Sequence, residues 1–334
     1  MSLVAKSGEN DRIEKERSCR VFQNGRRMTV LIMVCLSAPL AWGNETVPPP
    51  AMERLCVISD PRITESSGIA LSRRQSDAVW LHNDSGDAAR LFLVGLDGHT
   101  RGVLRLSGMG RPLDSEDMCS FTANGAPWLL VGDVGDNSRN RCLAADEKKR
   151  SRACRLFLFP EPEMKGALER EAEVPTIIRF EFEDGPHNCE SVAVDTERGE
   201  ILLVTKSKPE PLDCGLYRIP LTLEKGTSAV TALRIADLKI AFATAMDISP
   251  DGRRMVILAP GDGAVCIDRR ESESWGDAAK RTPHVIPLPE RKNGETLCFG
   301  HSRDELLLNS EFVGQPLWSV KIPNPMQAPG SNRE

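Results

Sequence analysis

Aromatic residues are scarce in this chain, 5 % of 334 residues with a single Tyr. That scarcity argues against an aromatic sugar-binding platform and against base-stacking surfaces. No basic stripe interrupts the acidic background: 43 Lys+Arg stand against 48 Asp+Glu, a net charge of −5. A general nucleic-acid binder is therefore excluded. There is no GxSxG elbow, no Walker or dinucleotide fingerprint, no CxxC and no close pair of histidines. A serine nucleophile, a nucleotide cradle and zinc as the main metal lose their usual sequence carriers. Long amphipathic helix patterns are missing too, apart from ALEREAEV (167–174), which reads as one or two helical turns within a connection.

One apolar run stands out near the start. MTVLIMVCLSAPLA follows Arg26–Arg27 and leads to Ala41-Trp42-Gly43, with small residues at the usual cleavage positions. At about 15 residues it is too short for a comfortable membrane span. Residues 1–43 are thus expected to be an export signal, with Met28 as an alternative start or the paired arginines as a twin-arginine signal. A periplasmic or extracellular location follows, with no membrane span in the mature chain. VPPP at 47–50 stiffens a linker over 44–53, the folded domain is expected over 54–323, and 324–334 read as a disordered tail. Without residues 1–43 the chain has 36 Lys+Arg and 44 Asp+Glu, a net of −8, and keeps eight cysteines. An even number in an exported chain permits disulfides. The one pairing expected is Cys142 with Cys154, across the polar segment LAADEKKRSRA; Cys119 and Cys298 sit inside apolar strands as core residues.

Five times an acidic residue opens a short apolar strand: Glu65, Glu116–Asp117, Glu190, Asp247 and Glu295. A second apolar strand follows each, ending in the loops HNDSGD, GDVGDNSRNR, KSKPEPLDCG, PGDG and SEFVGQ. A repeat of roughly 50 residues built from strands and turns predicts an all-β propeller, five blades preferred and six the alternative. The last repeat has only three strands, and RLCVIS (54–59) is expected to close the ring as its fourth. Asp-Gly and Asn-Gly in SPDGRR and TANGA mark tight antiparallel turns.

Neighbouring strands in such a blade run antiparallel, so the acids and the second-strand loops should share one face. Carboxylates gathered there repel unless a cation joins them, and an oxygen-rich set suits Ca²⁺, with Mg²⁺ less tolerant of irregular geometry. Glu65, Glu116, Asp117, Glu190, Asp247 and Glu295 are the candidate ligands, although strict alignment puts Thr244 in the place of Asp247. The competing reading leaves the acids solvated or bonded to backbone amides, with no metal. His187, Asp84, Asp133 and Lys206 are candidate catalytic groups. Asn83, Asp87, Asp136, Asn137, Arg139 and Arg141 are candidate substrate binders, because short polar side chains, glycines and nearby cations suit an anionic ligand. The same Asp and Asn residues also bond their own turns in ordinary loops.

The strings ESSGIA, WLHNDSGDAARLF, VGDVGDN, NCESVAVD and LLVTK resemble a group of exported bacterial β-propeller proteins over about residues 60–320. The stretch from NCESVAVD to LLVTK is similar, more loosely, to secreted phytase-like propellers. The resemblance implies an exported propeller. The expected function is a divalent-cation-dependent hydrolase of a phosphate ester or similar small anion. The alternative is a non-catalytic periplasmic or surface propeller that binds a protein or glycan and uses any metal only for structure.

Overall fold

Nearly every residue of the strand that opens each repeat is buried, polar ones included, as expected where both faces of a strand are covered. These opening strands are β2 (Ser66–Leu71), β6 (Ser115–Ala123), β11 (Cys189–Asp195), β15 (Ala245–Ile248) and β19 (Thr296–Phe299). They pack against one another in cyclic order, with β19 returning to β2. The structure is a computed structural model, and it describes residues 49–141, 153–166, 168–259 and 263–322. The expected export signal, the expected tail and Cys142 lie outside the described residues.

Each opening strand pairs antiparallel with the strand that follows it: β3 (Ala78–Asn83), β7 (Ala126–Asp133), β12 (Glu200–Thr205), β16 (Arg254–Ala259) and β20 (Glu305–Asn309). The β6–β7 hairpin turns on Asn124 and Gly125, at φ 52° and 72°. Two successive positive φ values match the right-handed twist of the flanking strands, and Asn-Gly meets that requirement with little strain. Third strands follow as β4 (Arg90–Gly95), β8 (Cys154–Pro160), β13 (Cys214–Pro220), β17 (Gly263–Asp268) and β21 (Pro316–Lys321). Outermost are β5 (Thr100–Ser107), β10 (Thr176–Phe182), β14 (Gly226–Leu238), β18 (His284–Ile286) and the N-terminal β1 (Ala51–Val57), which pairs antiparallel with β21. The only described helix, α1 (Trp275–Ala278), is a single turn.

These strands do not make five or six separate blades. Their hydrogen bonds form four sheets, one of them eight-stranded in the order β11-β12-β13-β14-β10-β8-β7-β6. Its two end strands, β6 and β11, lie against each other, so this sheet curls nearly to a closed barrel while the other three stay open. The expected propeller is corrected accordingly, and the cause is the length of β14. Leu233–Leu238 pair with β13, whereas Gly226–Ala232 extend beyond it and pair in parallel with Thr176–Phe182 of β10. An unpaired run of backbone amides is a liability that a neighbouring strand removes. The same logic corrects the helical turns expected at 167–174. Glu169–Glu173 form a strand, β9, parallel to Val103–Ser107 on the free edge of β5.

Packing between consecutive groups of strands makes the core. Trp80, Leu91 and Leu93 meet Met118, Leu129 and Phe157, all at most 1 % exposed. Buried polar groups brace this packing. The Glu161 carboxylate accepts from Ser72 Oγ (2.5 Å), Trp80 Nε1 (2.8 Å) and the Arg73 amide (3.0 Å). Asp195 accepts from Trp275 Nε1 (2.8 Å) and pairs with Arg269 Nη1 (2.5 Å).

No disulfide joins two described cysteines: Cys56, Cys119, Cys189, Cys214, Cys266 and Cys298 are free thiols. The disulfides that the even count permitted are not formed among these six, and Cys119 and Cys298 pack in the core as expected. Most pack into apolar clusters, where a thiol behaves as a small hydrophobe. The expected Cys142–Cys154 bridge falls on Cys142, outside the described residues.

Candidate metal centre

Bulges decide which acids face the mouth formed by the starts of the opening strands. The ladder of β6 with β7 skips Glu116, that of β11 with β12 skips Glu190, and that of β2 with β3 skips Ser67. A bulged residue leaves the ladder and its side chain is re-aimed. Ser67 Oγ lies 3.5 Å from Glu116 Oε2, and Glu116 is buried. Asp84, in the loop after β3, and Asp114, just before β6, complete the group. Carboxylate oxygens of Asp84, Asp114 and Glu116 all lie within 4.8 Å of one another.

Gly135 sits behind this trio. A Cβ there would stand 2.2 Å from Glu116 Oε1 and 2.4 Å from Asp114 Oδ2. The glycine of GDVGDN thus lets backbone approach two carboxylates where no side chain fits. Among the described residues none of the three acids forms an ion pair. Burial, with repulsion from their neighbours, holds Asp84 above the ordinary carboxylate range, Asp114 at about 6 and Glu116 well above its usual value. Like charges crowded into a partly desolvated site produce this effect, and a divalent cation among them would reverse it.

Glu190 belongs to the same mouth but has partners. Its Oε2 pairs with Lys206 Nζ at 2.5 Å, and its Oε1 accepts from Asn188 Nδ2 at 2.9 Å. Glu295 is pushed up to about 7, by burial first. Glu65 is exposed.

Asp117 and Asp247 lie deeper and meet backbone. Asp117, fully buried, accepts from the amides of Val192 (2.8 Å) and Met246 (3.1 Å) on Oδ2 and of Met118 (2.9 Å) on Oδ1. Asp247 accepts from Phe299 and Ile248, both at 2.8 Å. These two carboxylates tie opening strands together.

The other residues singled out from the sequence mostly organise their own loops. Asn83 accepts from the amides of Thr64 (3.0 Å) and Glu65 (3.2 Å) and donates to Asp87, which pairs with Arg90. Asp133 repeats the device, accepting from the amides of Leu113 (3.2 Å) and Asp114 (2.8 Å) while Arg141 and Arg155 pair with it. Asp136 accepts from the amides of Asn140 and Arg141, and Asn137 accepts from Asn188. Arg139 is exposed at φ 51°. His187 is buried beside Asp184 (3.0 Å) and Tyr217 (3.1 Å), outside the acid trio.

Asp114 was not singled out from the sequence. Its signal was its place two residues before Glu116, mirroring Glu65 before Ser67. A second group, Cys266, Asp268 and His284, also has the composition to hold a divalent cation. Cys266 and His284 face each other across β17 and β18. Asp268 is already paired there with Arg254 (2.7 Å) and Arg303 (3.5 Å).

This geometry corrects the expected hydrolase and the binding propeller set beside it. Both were built on a propeller of separate blades. The strands form no such set of blades; beside the trio lie a recess of about 10 Å³ at His82, Asn83 and Asp84 and a depression of about 220 Å³ at Asp114, Asp136, Asn137 and Arg141. A larger depression, about 720 Å³, is lined by Thr122, Asn124, Thr196 and Glu224, none of them in the acid trio.

Among the described residues no helix is long and apolar enough to cross a membrane. No protein family matches the chain, and no curated protein does. The resemblance to exported and phytase-like propellers is corrected with the blades it implied. Among solved structures the chain is similar to one described as "Crystal structure of Nidogen/Laminin Complex", at TM-score 0.41 and 12 % identity over 74 % of this chain and 73 % of that one.

Proposed function

We propose that this protein binds a divalent cation through the carboxylates of Asp84, Asp114 and Glu116, and that the cation is Ca²⁺. The observation that carries the reading is three unpaired carboxylates converging within 4.8 Å in a site whose desolvation already disfavours their charges. Hard oxygen donors without sulfur or imidazole suit Ca²⁺, and a backbone carbonyl or water would complete its shell. Lys206 is engaged by Glu190, so a cation at the trio would not displace an existing salt bridge. The ion would tie the loop after β3 to the start of β6 and so clamp neighbouring sheets. The expected export places the site where Ca²⁺ is abundant, and a dissociation constant of about 10⁻⁴ to 10⁻³ M would serve. This site is favoured over the Cys266 group, because the arginines on Asp268 repel a metal.

The test is calorimetric titration of EGTA-stripped protein with CaCl₂, alongside its melting temperature. One bound Ca²⁺ per chain is expected, with stabilisation of about 2.7 kcal/mol at a hundredfold excess over Kd. Glu116→Gln should abolish binding while leaving the fold intact. Absence of binding at millimolar Ca²⁺, or full binding by Glu116→Gln, overturns the reading.

A further inference from the structure

The connection between β18 and β19 carries an arginine, Arg291, with no acidic partner among the described residues. We propose that Arg291 is the recognition group of a second site, one that takes a small organic carboxylate. Arg291 Nη1 donates to the carbonyl oxygens of Asn309 (2.8 Å) and Thr296 (3.3 Å), the residues facing each other at the end of the β19–β20 ladder. Those bonds fix the guanidinium from one side. Its Nε and Nη2 make no hydrogen bond and no ion pair among the described residues, and neither is wholly shut off from solvent. The Nε–Nη2 edge presents two parallel N–H groups, the fork that a carboxylate accepts with both oxygens.

The surroundings favour an organic anion over a bare inorganic one. Arg291 lines a depression of about 480 Å³ with Leu258, Ala259, Pro287 and Leu288. An apolar wall beside one fixed polar group is the usual make-up of a small-molecule site. Gly294 shapes the floor: a Cβ there would stand 2.6 Å from Arg291 Cζ, so the absence of a side chain lets the guanidinium lie against backbone. Glu290 also lines the depression without pairing to Arg291. Lys292 points elsewhere, its Nζ 4.3 Å from the centre of the Phe312 ring. Burial lowers the Arg291 pKa to about 10, so the group stays charged at neutral pH while it lacks a counter-ion.

The experiment is ¹⁹F NMR of 4-fluorobenzoate with the full chain, repeated with neutral 4-fluorotoluene. Fluorobenzoate should broaden with a dissociation constant of about a millimolar or tighter, and fluorotoluene should not. Arg291→Gln should weaken binding at least about tenfold. Gly294→Ala, which displaces the guanidinium but keeps its charge, should weaken it about threefold or more. The second variant and the neutral ligand keep the test open if Arg291→Gln fails to fold. No broadening at about 10 mM, equal binding of fluorotoluene, or undiminished binding by Gly294→Ala or by a folded Arg291→Gln would each overturn the assignment.

Discussion

Asp117 offers a direct test of how the opening strands are held together. Its carboxylate sits on β6 and accepts amides from β11, from β15 and from its own strand. Replacing it with Ala leaves three buried N–H groups without acceptors, each costing about 1–3 kcal/mol. Partial relaxation and an entering water reduce the sum, so Asp117→Ala should destabilise by about 4–6 kcal/mol. Asn is different. Its single oxygen can occupy the Oδ2 position and keep Val192 and Met246, while its amide faces the Met118 N–H, a loss of about 1–3 kcal/mol. Burial holds the Asp117 carboxyl well above the ordinary range, so removing its charge offsets part of that loss. Asp117→Asn should therefore cost only about 1–2 kcal/mol, and the gap between the variants measures the tie itself. Urea unfolding at constant m gives both numbers, and hydrogen exchange at the Val192 and Met246 amides reports the bonds directly. Equal cost for Asn and Ala would show that charge, not hydrogen bonding, matters here. An Ala variant within about 1 kcal/mol of wild type would refute the tie.

Stability should also respond to pH. The folded-state pKa values of Asp114 and Glu295 are raised to about 6 and about 7, mainly by burial. Their contribution is complete below their unfolded values and is lost as pH rises through about 4 to 7. EGTA-treated protein should be about 1–3 kcal/mol less stable at pH 8 than at pH 5.5, after discounting for partial exposure, and saturating Ca²⁺ should flatten the slope. Urea midpoints that rise with pH in EGTA would contradict this. Arg269→Met should cost about 3–5 kcal/mol, because it strands the buried Asp195 charge; a thermal melt close to wild type would count against that hub. Glu161→Gln should cost about 1–3 kcal/mol by disturbing the Ser72 and Trp80 bonds, with a shifted tryptophan emission as the local readout, and unchanged emission and stability would argue that those bonds are dispensable.

The strands were legible wherever local pattern decides the outcome. SVAVD, ILLVTK and RMVILA are short β-branched or aliphatic runs bounded by turns, and Asn124-Gly125 is a turn whose φ values only a few residues tolerate. Sheet membership was not legible, because it depends on edges that meet far apart in sequence. Nothing in GTSAVTA says that it outruns β13, or that Thr176–Phe182 will find it in parallel. EREAE looked helical because Glu, Ala and Arg favour helices, yet the open edge of β5 supplied backbone partners that outweighed a weak preference.

The candidate site divides in the same way. Alignment of the repeats grouped Glu65, Glu116 and Glu190, because each opens an apolar run. Pairing registers instead equate Ser67, Glu116 and Glu190 as the residues skipped by the ladder. A bulge is a property of two strands together, so one strand's pattern cannot reveal it. That single residue of slippage determines chemistry. Glu116 leaves the ladder and meets Asp84 and Asp114 at the mouth, whereas Asp117 beside it turns inward and takes three amides. Two neighbouring acids in one strand thus have opposite tasks, one left without an ion pair at the site proposed for a cation and one spent on the backbone. Asp114 and Arg291 escaped notice for a related reason. Each matters through what does not pair with it, and an absent partner is visible only once the fold has placed every neighbour.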